Sequence, residues 1–393
     1  MSKRNAQDGA KSPPSGVLDA YLEATREQVL AEIDAIVPAD GRWTGGLYAL
    51  MRDYPLRGGK ALRPALCMAA CRAAGGSLSL SLRPAAVLEL YHNAFLIHDD
   101  VEDGSELRRD EPTLHAAHGS PIAINVGDGL LALCSEVLLD GVGELGLGRT
   151  LRIYRLIARM ARETAEGQMI ELDWVRRGEV HVDDRAYCRM VYKKTAWYSF
   201  VAPLLVGAEA ASRRDLVPAL HRFGTLLGIA FQIRDDLLNL TGAATGAGGY
   251  GKEWAGDLWE GKHTLMLTIA LRRATDGDRT RALAILRKSR HGTADAPELA
   301  RRLSSAVRGD VVDVTAVTAL AAELEAGRRS EEDVAFLAEL IERHDGVPYA
   351  DAVARRYAAR ARSVLARCFE ARDASTHRAF LEALVDYVIE RDR

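Results

Sequence analysis

The sequence predicts an all-α protein built as a single large helical bundle. Three observations carry that prediction. Apolar residues recur at three- and four-residue spacing from about Val17 onward, as in VLDAYLEATREQVLAEIDAIV, RPAAVLELYHNAFLIHDD, RTLRIYRLIARMARETAEGQMIEL and LHRFGTLLGIAFQIRDDLLNL. Alternating strand patterns are nearly absent, and the breaks fall at the glycine-rich stretches RGGK, AAGG, GELGLG and TGAATGAGGYG. Several of the helices are apolar nearly all round, which places them at the centre of a large bundle and not in a thin surface layer.

Taken in order, residues 1–16 (MSKRNAQDGAKSPPSG) are polar, rich in Pro, Ser and Gly and without period, and are expected to form a disordered tail. Residues 17–393 then read as one helical domain. A length of 393 residues would also allow two or three domains, but no linker divides the periodic segments. Residues 289–330 are more polar and broken by Gly and Pro, the pattern of a surface insertion between helices.

Composition narrows the function classes. Hydrophobic residues make up 48%, enough for a sizeable core, and the net charge is only −3. There is thus no global basic field for nucleic acid or an anionic membrane, and any anion must be held by local clusters. The five cysteines, Cys67, Cys71, Cys134, Cys188 and Cys368, form no CxxC pair and no zinc spacing; with no secretory leader pattern, they are expected as buried free thiols in a cytoplasmic protein. No apolar run is expected to approach the roughly 18 residues that span a bilayer, so no stable membrane insertion is anticipated.

One acid pattern occurs twice. Asp99, Asp100 and Asp103 close the first apolar segment, and Asp235, Asp236 and Asn239 close a second. Residues four apart share a helix face, so Asp99 with Asp103, and Asp235 with Asn239, each direct two oxygens to a common point. A charge run is usually a solvated helix face. Two such runs at the ends of apolar helices are better explained by divalent cations, and hard oxygen ligands with open positions suit Mg2+ and substrate phosphates. Cations lie near in sequence: Lys60 and Arg63 around a glycine pair, Arg108 and Arg109 after the first acid cluster, then Lys194, Lys252 and Lys262. Together they imply two diphosphates, one bound through metal and one held by Arg and Lys alone.

In the order GGKxxRP, DDxxDx4RR, KT, QxxDD and GKxxxGD, these motifs resemble the trans-isoprenyl diphosphate synthases, also called polyprenyl synthetases. The resemblance is strong over residues 45–270 and looser beyond. It implies the isoprenoid synthase fold, with helices around a deep central cavity, usually in a homodimer, and three Mg2+ per active site. Carried over by position, Asp99 and Asp103, with Asp100 in support, would take Mg2+, and Asp235 the third ion, with Asp236 and Asn239 beside it. Arg108, Lys194 and Lys252 would hold the allylic diphosphate, with Lys262 a further substrate-binding residue; Lys60, Arg63, His92 and Arg109 would hold isopentenyl diphosphate; Thr195 and Gln232 would turn oxygen dipoles toward the allylic cation. His98 has no counterpart and is read as structural.

The expected reaction condenses isopentenyl diphosphate with dimethylallyl, geranyl or farnesyl diphosphate. One helical turn rises about 5.4 Å, close to one isoprene unit, so side chains one and two turns before Asp99 should form the floor. Ala94 would let the chain pass the first level and Tyr91 would stop it, giving a geranylgeranyl product; Phe95 is the obstacle that would shorten it to farnesyl. Departures from the family pattern are Ala61 for a frequent Arg, Asp110 for a common Gly, Asn239 for an acid and His263 for a frequent Arg. Two rivals are a class I terpene cyclase, whose NDxxSxxxE motif is missing from RDDLLNLTG, and a silent regulatory subunit, which would have lost an acid motif.

Overall fold

The computed structural model describes residues 15–178, 182–242, 254–288, 327–369 and 375–390, with five residue pairs between 303 and 318. Helices dominate throughout. They are α1 (Ser15–Ile36), α2 (Leu47–Leu56), α3 (Leu62–Ala73), α4 (Leu78–Asp103), α5 (Leu114–His118), α6 (Ser120–Asp140), α7 (Val142–Leu145), α8 (Leu147–Arg177) and α9 (Asp184–Val191). A π-helical segment, Tyr192–Val201, leads into α10 (Ala202–Ala210) and α11 (Val217–Thr241). There follow α12 (Gly256–Glu260), α13 (Leu265–Arg273), α14 (Asp276–Leu286), α15 (Glu331–Arg343), α16 (Gly346–Leu365) and α17 (Thr376–Glu390).

Local chemistry sets these boundaries. Asp183, Thr264 and Thr275 cap α9, α13 and α14 with side-chain oxygens, and Ser330 with Asp333 forms a reciprocal capping box on α15. The 26-residue α4 stops at Gly104, left-handed at φ 63°, one residue after Asp103. Two apolar clusters form the core, one around α3, α4, α6, α10 and α17, the other around α9, α13, α15 and the start of α16, with α11 contributing to both. Close approach needs glycine where the π segment is sandwiched. A Cβ on Gly228 of α11 would stand 2.6 Å from Ala196 Cα, and one on Gly167 of α8 would meet the Lys194 backbone.

The strands are two minimal hairpins, β1 (Leu107–Arg108) with β2 (Glu111–Pro112), and β3 (Val307–Arg308) with β4 (Val311–Val312). Four sequence expectations need adjustment. Helix α1 begins at Ser15, inside the expected tail, whose residues 1–14 lie outside the described residues. The stretch 289–330 lies largely outside them, but its end is not surface, because Arg329 is 2% exposed and bonds to the carbonyls of Trp259, Ile285, Leu286 and Lys288. Ser120–Asp140 and Arg214–Thr241 are long and apolar enough to cross a membrane by length and composition, against the expectation that no run approached that limit. About half of each is packed inside the bundle, as in the core helices of many proteins. All five cysteines are free, four buried and Cys188 half-buried.

Candidate active site

Tyr91, Phe95, Asp99 and Asp103 recur every four residues, so they stack on one face of the last turns of α4. Asp99 lies 3.4 Å from Gln168 Nε2 of α8, which also reaches Glu102 at 2.7 Å. Asp103 faces Lys262 Nζ at 3.4 Å. Burial, with Asp99 and Glu260 nearby, pushes the Asp103 carboxyl up to about 6 against the pull of Lys262. Asp100 points elsewhere. It is fully buried, accepts the Tyr54 hydroxyl at 2.6 Å and Arg108 Nε at 3.1 Å, and so braces α4 against α2 and the β1–β2 hairpin.

The second cluster is a hydrogen-bonded relay. Thr195 Oγ1 donates to Gln232 Oε1 at 2.8 Å, Gln232 Nε2 donates to Asp236 at 2.8 Å, and the Tyr187 hydroxyl donates to the other Asp236 oxygen at 2.6 Å. Burial, then Asp257, drives the Asp236 carboxyl well above its usual range. Asn239 Oδ1 accepts the Asp257 N–H at 3.1 Å and starts α12. Asp236 and Asn239, expected as metal ligands, also brace Gln232 and α12, while Asp235 is half-buried.

Two lysines connect the clusters. Lys194 pairs with Glu171 of α8 and feels Asp99, so its pKa stays above the usual value although burial opposes the charge. Lys262 pairs with Glu260 and Asp103 and also feels Glu171 and Asp257. Lys252 lies outside the described residues. The sequence reading missed Glu171, Gln168 and Tyr187. Glu171 shares the buried face of α8 with Glu163, and acids at positions that also carry Ile153, Ile157 and Met160 are the signal that could have exposed it.

The basic side is built around strained backbone. Arg109 (φ 56°) and Asp110 (φ 65°) form the two-residue turn of β1–β2, a left-handed pair that glycine would occupy without cost. Arg109 is clamped to the carbonyls of Tyr54, at 3.1 Å, and Gly58. Gly59, at φ 125°, leaves its guanidinium room, since a Cβ there would lie 2.7 Å from Nη2. Arg63 donates to Ser199 Oγ at 2.9 Å and lies 4.4 Å over the Tyr198 ring. Exposed Lys60 contacts Tyr387 of α17. Burial, then Arg63, Arg109 and Arg108, drive His92 well below its usual pKa, so its imidazole is neutral. Arg63 Nε, His92 Nδ1, Glu89 Oε2 and Asn93 Oδ1 are buried without hydrogen-bond partners, the state of a polar pocket built for a ligand.

Below Asp99, Ala94 is 0% exposed and packs in the apolar core. Phe95 is half-buried; its ring meets Tyr198 of the π segment edge-on at 5.7 Å and Tyr91 at 5.9 Å. His98 packs against Gly127 and lies 3.4 Å from Asp128.

The donors fit Mg2+. Among the described residues no three His, Cys, Asp or Glu side chains close on one point. Asp99, Asp103 and Asp235 are the carboxylates that would hold Mg2+, which would supply positive charge to a bound phosphate. Burial first, and then Asp99 and Glu260 beside it, raise the Asp103 carboxyl, and a divalent cation would favour its charged form.

A profile of the polyprenyl synthetase family matches residues 46–303. A short chain isoprenyl diphosphate synthase of Methanothermobacter thermautotrophicus is 29% identical over 377 residues, covering 96% of this chain and 98% of that one. An octaprenyl diphosphate synthase of Haemophilus influenzae is 33% identical over 254 residues, 65% of this chain and 71% of its own. The crystal structure of a geranylgeranyl pyrophosphate synthase from Corynebacterium glutamicum, complexed with isoprenyl diphosphate and magnesium, superposes with a TM-score of 0.71 at 27% identity, covering 95% of this chain and 99% of that one. The two acid clusters, the lysines paired beside them and the family match over residues 46–303 lead to one conclusion: the chain belongs to the polyprenyl synthetase family and is a trans-prenyltransferase.

Proposed function

We propose that the protein is a Mg2+-dependent synthase that condenses isopentenyl diphosphate with an allylic diphosphate to give geranylgeranyl diphosphate. The observation that carries this reading is the pair of acid clusters linked through Lys194 and Lys262. Mg2+, when bound at Asp99, Asp103 and Asp235, supplies charge that stabilises the departing diphosphate. Lys194 and Lys262 stand where they add to that stabilisation as the allylic C–O bond breaks and its electron pair leaves with the oxygen. Thr195 has its hydroxyl hydrogen committed to Gln232, so its oxygen lone pairs are left to face the allylic cation. Lys60, Arg63, Arg109 and neutral His92 hold isopentenyl diphosphate so that its double bond attacks that carbon. The new C–C bond leaves a tertiary cation, and loss of a proton to the released diphosphate restores a double bond.

Tyr91, two turns below Asp99, sets the twenty-carbon floor. The edge-on contact of Phe95 with Tyr198 favours a second reading, a farnesyl product stopped one turn higher. Helix α8 carries Leu147, Leu151, Tyr154, Met169 and Leu172 exposed along one side, next to exposed Ile122, Ile124 and Leu139 on α6. Such a stripe supports a homodimer formed through these two helices.

The test is product analysis of purified protein with Mg2+, isopentenyl diphosphate and, separately, dimethylallyl, geranyl and farnesyl diphosphates, with Asp99→Ala as control. A twenty-carbon product lost in the control is expected. Condensation with no primer, in folded protein, would refute the reading, and release of hydrocarbon from geranylgeranyl diphosphate alone would identify a cyclase.

A further inference from the structure

Tyr54 is a side chain that none of the motifs contains. It sits near the end of α2, 1% exposed, and reaches both arginines after the first acid cluster, Arg109 directly through its carbonyl and Arg108 through Asp100. Its hydroxyl donates to Asp100 at 2.6 Å and accepts the Leu114 N–H at 3.3 Å. Asp100 in turn takes Arg108 by Nε and Nη2, which fixes that guanidinium on the allylic side. The Tyr54 carbonyl accepts Arg109 Nη1 at 3.1 Å, on the isopentenyl side. A third guanidinium, Arg57, lies 4.7 Å over the Tyr54 ring, is held by both oxygens of Asp53, and donates to the Pro112 carbonyl at 2.8 Å, tying α2 to the hairpin that carries the two arginines.

We propose that Tyr54 is a positioning residue that sets both diphosphate subsites at once, Arg108 through Asp100 and Arg109 through its own carbonyl. This rests on the synthase reading above. The two arms are chemically separable, because replacing the hydroxyl leaves the carbonyl in place. A guanidinium whose carboxylate loses its second anchor can swing, and a phosphate-binding fork pays for that freedom in affinity.

The experiment is Tyr54→Phe. The dissociation constant of geranyl S-thiolodiphosphate, a non-ionising allylic analogue, is measured by calorimetry with Mg2+ present, alongside KM for geranyl and isopentenyl diphosphates. The expected result is an analogue affinity and a geranyl KM both worse by about tenfold, equivalent to about 1.4 kcal/mol, with the isopentenyl KM changed less than about twofold. Asp100→Asn approaches the same arm from the other side and should give the same split, which keeps the test alive if Tyr54→Phe folds poorly. Unchanged analogue binding in a folded variant, or an isopentenyl KM that rises in step with the geranyl KM, would overturn the inference. Wild-type protein that neither binds the analogue nor condenses would overturn the synthase reading itself.

Discussion

Gly167→Ala is expected to disable catalysis while leaving most of the protein folded. Gly167 lies on α8 where that helix presses on the π segment, and an added Cβ would stand 2.6 Å from Lys194 Cα and 2.8 Å from the Lys193 carbonyl carbon. Both neighbours are backbone, so no side chain can swing aside. The nearest atom is Lys194 N, at 2.2 Å; ordinary contact begins at 3.4 Å, and the Lys194 backbone must therefore retreat by about 1.2 Å. Overpacking of this kind costs about 1–3 kcal/mol of stability. The catalytic cost is larger, because Lys194 and Thr195 ride on the displaced segment and a misplacement of about 1 Å lowers rates about 100-fold. Steady-state kcat with geranyl and isopentenyl diphosphates, with a melting curve on the same sample, tests this. A variant with kcat within about threefold of wild type would refute the idea that this helix contact fixes the lysine.

Three further outcomes follow from particular contacts. Tyr91→Ala should lengthen the twenty-carbon product by at least one isoprene unit, read by chromatography of the dephosphorylated alcohols, while Phe95→Ala and Tyr198→Leu leave it unchanged; lengthening by the latter two would show that the Phe95–Tyr198 pair, and not Tyr91, closes the wall. Glu89 is fully buried, and burial raises its carboxyl pKa even though Arg63 and Arg109 oppose the shift. Its folded value thus exceeds the unfolded one, so its stabilising share is complete below about pH 4.5 and is lost as pH rises through the folded value. Glu89→Gln should accordingly melt higher than wild type at pH 8, with the gap closing toward pH 4; a gap that widens in acid would show the sign to be wrong. Leu151→Lys, on the exposed stripe of α8, should shift the particle mass in light scattering from dimer to monomer with little change in helicity.

The helices were legible because their apolar period is long and unbroken, and Gly104 and Ser330 mark boundaries that any reading of capping residues would place. The tail boundary slipped because Ser15 and Gly16 have poor intrinsic helix propensity, and α1 extends through them all the same. The apolar runs of α6 and α11 were underestimated because each is interrupted by single polar residues that a count of consecutive apolar residues rejects and an average tolerates. The π-helical turn had no signal at all. Its geometry is set by Gly167 and Gly228 on the flanking helices, far away in sequence.

The site divides along the same physical line. Side chains proposed to meet substrate follow motifs of fixed order and spacing, so Asp99, Asp103, Lys194 and Asp235 could be nominated from the chain alone. Side chains that hold them need only arrive at the right place in space, and Tyr54, Glu171, Tyr187 and Tyr198 come from four different elements with no common spacing. Asn239 shows where the boundary runs: its spacing from Asp235 matches that of Asp103 from Asp99, and its oxygen accepts the Asp257 N–H. Helical periodicity fixes which face a side chain occupies, but not whether its oxygen meets a ligand or the backbone of the next loop. Only the packed neighbour decides that, and for Asn239 the neighbour is α12, the helix that delivers Lys262 to Asp103.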